Sequence, residues 1–167
     1  SGPLAIVLAA GKGTRMNSDK PKVLCEALGR PLIDYVLDAL QATQVGRVVI
    51  VVGYQSDLVR QTLAGRSNVE FVEQTQQLGT GHAVMVCRDQ LEHHDGAVLV
   101  VAGDSPLIQV RSISRLLEAF EQGRPACLLG TLHKDDPTGL GRIVRDQNGD
   151  FVGIVEEKDA TEDQRRV

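Results

Sequence analysis

The sequence predicts an α/β protein: a mostly parallel sheet with helices on both faces and a β-hairpin near the C-terminus. Three observations lead there. Apolar runs of strand type alternate with apolar positions at helical spacing, in the order β-α-β-α-β-α-β-α-β. The first run, Leu4–Ala9, is apolar without a break, as expected of a strand buried on both faces. Asn148-Gly149, a pair suited to the positive φ of a hairpin turn, separates two short β-type runs. Alternating strands and helices make a parallel sheet through right-handed crossovers, and in such sheets ligands sit beyond the carboxyl ends of the strands.

The elements follow in order. After Leu4–Ala9, a helix is expected over 31–42, where Leu32, Ile33, Val36, Leu37 and Leu40 share one side and Pro31 suits a first turn. Residues 47–52 are a β-branched run. Ser56 is the expected N-cap of a helix over 56–63. A short strand over 69–73, a helix over 80–91, an apolar strand over 97–102 and a helix over 112–122 come next, the last with Ile113, Leu116, Leu117 and Phe120 in register. A fifth strand is expected over 126–132, then the hairpin of 142–145 and 151–155. With no repeat, linker or low-complexity tract, the 167 residues read as one domain.

Composition narrows the function. At 42% hydrophobic the chain is near the globular norm, which excludes disorder, collagen and coiled coil. A net charge of -4 with 3% aromatic residues lacks both the electrostatic footprint and the stacking platform of a general nucleic-acid binder. No apolar run approaches the roughly 20 residues that span a bilayer, so no membrane partner is expected. Cys25, Cys87 and Cys127 are odd in number and far apart. They read as reduced, buried thiols of a cytoplasmic protein rather than a disulfide or zinc framework.

The chemistry gathers after the first strand, in the run from Leu8 to Met16 followed by Lys20-Pro21-Lys22. Gly11 and Gly13 let the backbone turn tightly and approach a ligand, and successive N–H groups can form an anion nest. Lys12, Arg15, Lys20 and Lys22 add cations suited to a polyphosphate. Two better-known glycine loops are excluded. A Walker loop needs Ser or Thr after Gly-Lys, where Gly13 stands; the dinucleotide fingerprint needs a third small residue, where Met16 stands.

Asp104, after Gly103 at the end of the strand over 97–102, is a lone carboxylate suited to Mg²⁺; an Asx turn or helix cap before Ser105-Pro106 fits the residues equally well. Gln74 offers a donor and an acceptor to a base edge, and Gly79-Thr80-Gly81 opens the helix after it. His82, just inside that helix, reads as a packed or capping histidine and is given no catalytic role. Gly141 precedes the hairpin and Glu156 follows it; a glycine N–H and a carboxylate can hold sugar hydroxyls, and turn residues with a solvated charge fit as well.

Together these segments resemble the sugar-1-phosphate nucleotidyltransferase family, and within it the pyrophosphorylase domains of the bifunctional UDP-N-acetylglucosamine pyrophosphorylase/glucosamine-1-phosphate N-acetyltransferases. The resemblance lies in LAAGKGTRM (Leu8–Met16), PKVL (Pro21–Leu24), Gln74 with QLGTGHA (Gln77–Ala83), Gly103-Asp104, DDPTGLGRI (Asp135–Ile143) and GIVEEKDAT (Gly153–Thr161). It implies a Rossmann-like nucleotidyltransferase domain that joins UTP and N-acetylglucosamine 1-phosphate into UDP-N-acetylglucosamine and pyrophosphate, in the cytoplasm, for cell-wall precursor synthesis. By the same resemblance Leu8, Ala9, Ala10 and Gly11 line the nucleotide site, and Arg15 and Lys22 are catalytic phosphate contacts. Gln74, Gly79 and Thr80 read uracil, Asp104 binds Mg²⁺ with Ala102 and Gly103 beside it, and Gly141 and Glu156 hold the N-acetylglucosamine moiety.

Ala102 and Leu140 stand where the family often has Tyr. The resemblance also implies a longer protein, a possible homo-oligomer, with a second metal-binding Asn, a sugar-contacting Asn and an acetyltransferase domain beyond Val167. The alternatives are a thymidylyl-, cytidylyl- or guanylyltransferase sharing the first loop, or a nucleotide-binding fragment without turnover.

Overall fold

The computed structural model describes residues 2–13 and 19–166, in two compact units that meet at Leu128/Leu129 in the sequence. Along the chain run β1 (Leu4–Ala9), β2 (Glu26–Ala27), β3 (Arg30–Pro31), α1 (Leu32–Gln41), β4 (Arg47–Val52), α2 (Ser56–Thr62), β5 (Val69–Glu73), α3 (Thr80–Met85), α4 (Arg88–Leu91), β6 (Val98–Ala102) and α5 (Val110–Gly123). The second unit holds β7 (Arg142–Arg145), β8 (Phe151–Val155) and α6 (Glu162–Arg165).

The first unit is built on a parallel sheet in the order β5-β4-β1-β6. The chain steps outward from β1 through β4 to β5, then returns past β1 to place β6 on its other side. Loops leaving β1 and β6 therefore diverge, and a crevice opens between them. The register sets its floor level: Leu8 lies opposite both Val51 and Ala102, and Ala9 opposite Val52.

Burial follows position in the sheet. Central β1 and β4 are sealed on both faces for most of their length, as their unbroken apolar runs require, whereas edge strands β5 and β6 alternate. Ala5, Val7, Ile50 and Val52 pack with Ile33, Val36 and Leu40 of α1, Val59 of α2 and Ile113 and Leu117 of α5. The opposite face carries Leu4, Ile6, Val49 and Val51 against Ala83 and Cys87, from α3 and the turn that follows it. Helices thus cover both faces, in agreement with the expected α/β architecture.

Several local expectations are corrected. The apolar run 126–132 is not a strand: a strand needs a neighbour to complete its backbone hydrogen bonds, and no described residue pairs with it. Cys127, expected buried, is consequently exposed, and Cys25 is half-buried; Cys87 is sealed, and burial pushes its thiol up. The helix over 80–91 breaks at Val86-Cys87, where the Cys87 N–H bonds the Val84 carbonyl at 3.1 Å. The N-cap of α2 is Gln55 at φ 49°, not Ser56. Pro31 ends β3 as the N-cap of α1 rather than opening the helix. The β2–β3 hairpin turns on Leu28 and Gly29, both at positive φ, and an exposed leucine is no turn signal.

Within the second unit β7 and β8 form the expected antiparallel hairpin, with Gly149 at φ 86°. Arg142 is its buried tie: it donates to the carbonyls of Pro137, Leu140 and Arg165 and pairs with Glu157 at 3.4 Å.

Candidate functional site

The crevice at the carboxyl end of the sheet is a cavity of about 390 Å³. Leu8, Ala9, Ala10 and Gly11 supply one wall from the exit of β1; Ala102 and Asp104 enter from β6, Gln74 from β5, and Gly79 and Thr80 from the start of α3. Lys22 closes the rim. Nine expected nucleotide and phosphate residues and the expected metal ligand therefore come together from four stretches of chain.

The wall after β1 is pinned by its carbonyl at Ala10. The Gln77 amide nitrogen donates to it at 2.7 Å and the Tyr54 N–H at 3.2 Å. Gly53 allows this approach: a Cβ there would stand 2.9 Å from the Ala10 Cβ and 3.2 Å from the Gln74 carbonyl oxygen. A Cβ on Gly11, by contrast, would meet no protein atom within 4 Å, so the backbone is bare toward open space where a ligand can approach. Gly13 has φ 71°, and a Cβ there would lie 2.6 Å from the Lys22 Cβ; only glycine lets the loop cross the lysine stem.

The described lysines of the run after β1 each engage a different partner. Lys22 Nζ lies 2.5 Å from Asp104 Oδ2, Lys12 stacks over the Tyr54 ring at 5.1 Å, and Lys20 pairs with Glu26 at 3.6 Å. Arg15, expected to contact phosphate, lies outside the described residues. Gly103 does not line the cavity. It is buried beneath it, donating to the Leu8 carbonyl at 2.9 Å, and a Cβ would stand 3.0 Å from that oxygen. The glycine lets the end of β6 lie flat against β1 and so aims Asp104.

Asp104 is a single carboxylate, and the described residues contain no group of three or more His, Cys, Asp or Glu that could hold a metal ion. That donor set suits Mg²⁺, which takes one or two carboxylates and fills its other positions with water and phosphate oxygens, far better than zinc.

In the second unit a Cβ built on Gly141 would lie 3.8 Å from Glu156 Oε1, so these two residues adjoin. Glu157, next to Glu156, accepts from the Gly139 N–H at 2.5 Å and holds the Pro137–Leu140 turn with Arg142. Sequence reasoning also missed Val23, Gln77 and Ala83 as lining residues. Val23 and Gln77 carry no charge or spacing signal, and Ala83 could have been found from its place one turn after Gly79.

A family model for the MobA-like NTP transferase domain matches residues 5–148. The chain belongs to that family. Among NTP transferase relatives, the bifunctional protein GlmU of Streptococcus gordonii and that of Listeria innocua are each 45% identical over 163 residues, 98% of this chain and 35% of theirs. The chain thus spans about a third of the length of these relatives. A nucleotidyl transferase from Methanothermobacter shares the fold with a TM-score of 0.61 at 23% identity, covering 70% of this chain and 57% of that one. HddC from Yersinia pseudotuberculosis, solved with GMP-PN, superposes with a TM-score of 0.66 at 20% identity over 92% of this chain and 68% of its own. Both share the α/β fold of this chain. No described helix is long and apolar enough to cross a membrane.

Proposed function

We propose that this NTP transferase chain carries the uridylyl-transfer site that makes UDP-N-acetylglucosamine and pyrophosphate from UTP and N-acetylglucosamine 1-phosphate. The observation that supports it most is the meeting of the bare Gly11 backbone, Gln74, Lys22 and Asp104 in one cavity at the strand-order reversal. The near full-length similarity of this chain to GlmU proteins and the motifs read above favour uridine and an N-acetylated sugar.

A phosphate oxygen of the sugar phosphate attacks the α-phosphorus of UTP, the new P–O bond forms, the α–β anhydride bond breaks, and pyrophosphate leaves in line. The nucleophile is already anionic, so no side chain must remove a proton; positioning and charge neutralisation carry the rate. The Leu8–Gly11 wall seats the nucleotide, and Gln74, Gly79 and Thr80 read the base. Lys22 steadies the α-phosphate region, and Arg15 offsets charge on the departing pyrophosphate. Gly141 and Glu156 hold the sugar. Asp104 is the proposed Mg²⁺ ligand, and the bound ion would neutralise phosphate charge; Lys22 would then leave Asp104 for phosphate oxygens. We place this chemistry in the cytoplasm.

Calorimetric titration with UTP, dTTP, CTP and GTP in the presence of Mg²⁺ tests the reading. UTP is expected to bind selectively, with Gln74→Ala lowering its affinity by roughly 10- to 100-fold through loss of a buried polar contact. Preference for another nucleotide would overturn the uridine assignment. In turnover, Arg15→Ala is expected to lower kcat far more than it raises KM, and a pure KM effect would contradict its role on the leaving group.

A further inference from the structure

Gln74 is only 4% exposed, and both hydrogens of its side-chain amide have partners. Nε2 donates to the Gly79 carbonyl oxygen at 3.1 Å and lies 2.9 Å from His82 Nδ1. The carbonyl decides the orientation, because it can only accept: turning the amide over would set two oxygens against each other. With the nitrogen so placed, His82 Nδ1 has to accept, and the imidazole proton sits on Nε2. The amide nitrogen is then saturated. Among the described residues nothing donates to the amide oxygen, and Gln74 lines the cavity.

We propose that His82 is a positioning residue for nucleotide choice: its Nδ1 and the Gly79 carbonyl lock the Gln74 amide so that only an acceptor is offered to the base. This rests on the proposed reading of the base by Gln74. Uracil presents a ring N3–H, which a fixed acceptor binds; cytosine presents a lone pair at the same ring position, which a fixed acceptor repels. An unlocked amide could rotate and donate to cytosine instead. The lock removes that option, so discrimination comes from repulsion of the wrong base as well as attraction of the right one. A site built around one buried polar group rejects a base that leaves it unpaired by about 100-fold or more.

The test compares UTP and CTP binding by calorimetry in the wild type, His82→Leu, His82→Asn and Gln74→Ala, with melting curves to confirm folding. Asparagine keeps an acceptor at the δ position; leucine removes it. His82→Leu is expected to shrink the UTP-to-CTP affinity ratio at least ~10-fold, UTP weakening while CTP gains, and His82→Asn to restore most of it. Imidazole ¹⁵N spectra of the wild-type protein are expected to show His82 as the neutral Nε2–H tautomer, an observation that survives if the leucine variant does not fold.

An equal loss for both nucleotides in His82→Leu, an asparagine variant that behaves like leucine, or an Nδ1–H tautomer would each overturn the role of His82. The base reading fails separately: Gln74→Ala would then leave UTP affinity unchanged. If Gln74→Ala abolishes selectivity and His82→Leu preserves it, only the inference about His82 falls.

Discussion

On one face of the parallel sheet α1, α2 and α5 seal Ile33, Val36, Leu40, Ile50, Val52 and Val59 from water. On the other, α3 and α4 cover the centre, while Val98 and Val100 of β6 stay 40% and 43% exposed. The cavity draws mainly on the thinner side, where Ala10 and Ala83 belong both to its small apolar cluster and to the cavity lining, while Ala9 and Val23 of the larger cluster complete it. The difference teaches a division of labour. A groove is a place where packing is withheld, so apolar burial on the thick face has to supply the stability that the groove does without.

The strongest way to break the comparison is Leu40→Ala on the thick face. Leu40 is fully buried, and its truncation is expected to cost about 2–5 kcal/mol with UTP affinity of the folded protein unchanged. Denaturant midpoints and calorimetry check the two halves of that statement. A comparable loss of affinity would show that the two faces are not separable.

Gly53→Ala is expected next, in the opposite sense. Its new methyl would meet the Ala10 Cβ at 2.9 Å and two carbonyl oxygens at 3.1 and 3.2 Å, so the β1 wall must move. A stability cost of about 1–3 kcal/mol is expected. The weakening of nucleotide binding should exceed that seen in any thick-face variant.

A smaller effect sits at the rim of the thick face. Asp38 accepts from Arg30 and from Arg66, each at 2.6 Å. The Arg30 hydrogen bond, with Arg66 adding to it against the cost of partial burial, holds the carboxyl below its usual range. A depressed folded value means that the contribution is present above the unfolded value, near 4, and is lost as pH falls through the folded one. Because the pair is half-exposed, Asp38→Asn should cost at most about 1 kcal/mol at pH 7. Urea midpoints of variant and wild type should converge as pH falls below the unfolded value and through the depressed folded one.

The smallest change is expected from Val100→Thr on the open side of β6. It should stay within about 0.5 kcal/mol, as for a surface position. A larger loss would mean that this face is covered in solution.

Much of this was legible beforehand because it depends on local pattern. Strands 4–9, 47–52, 69–73, 142–145 and 151–155 have the bounds that their apolar runs imply, since β-branched runs and Asn148-Gly149 act over a few residues. Gly11, Gln74 and Asp104 stood out as polar or glycine residues at strand ends. The failures were places where a distant partner decides: the run 126–132 had the composition of a strand but no neighbour among the described residues, and Glu157 carried no signal of its tie to Arg142.

By itself the sequence determined most strand and helix types, the side of the sheet on which chemistry would gather, and many of the polar and glycine residues that would gather there, because side-chain period and turn chemistry are properties of neighbouring residues. Tertiary structure alone decided which groups face one another. It set Lys22 on Asp104, Gly53 under Ala10, and His82 against the Gln74 amide. The first two depend on strand order and register, which bring together residues as far apart as 82 positions, and the third on how the chain turns from β5 into α3.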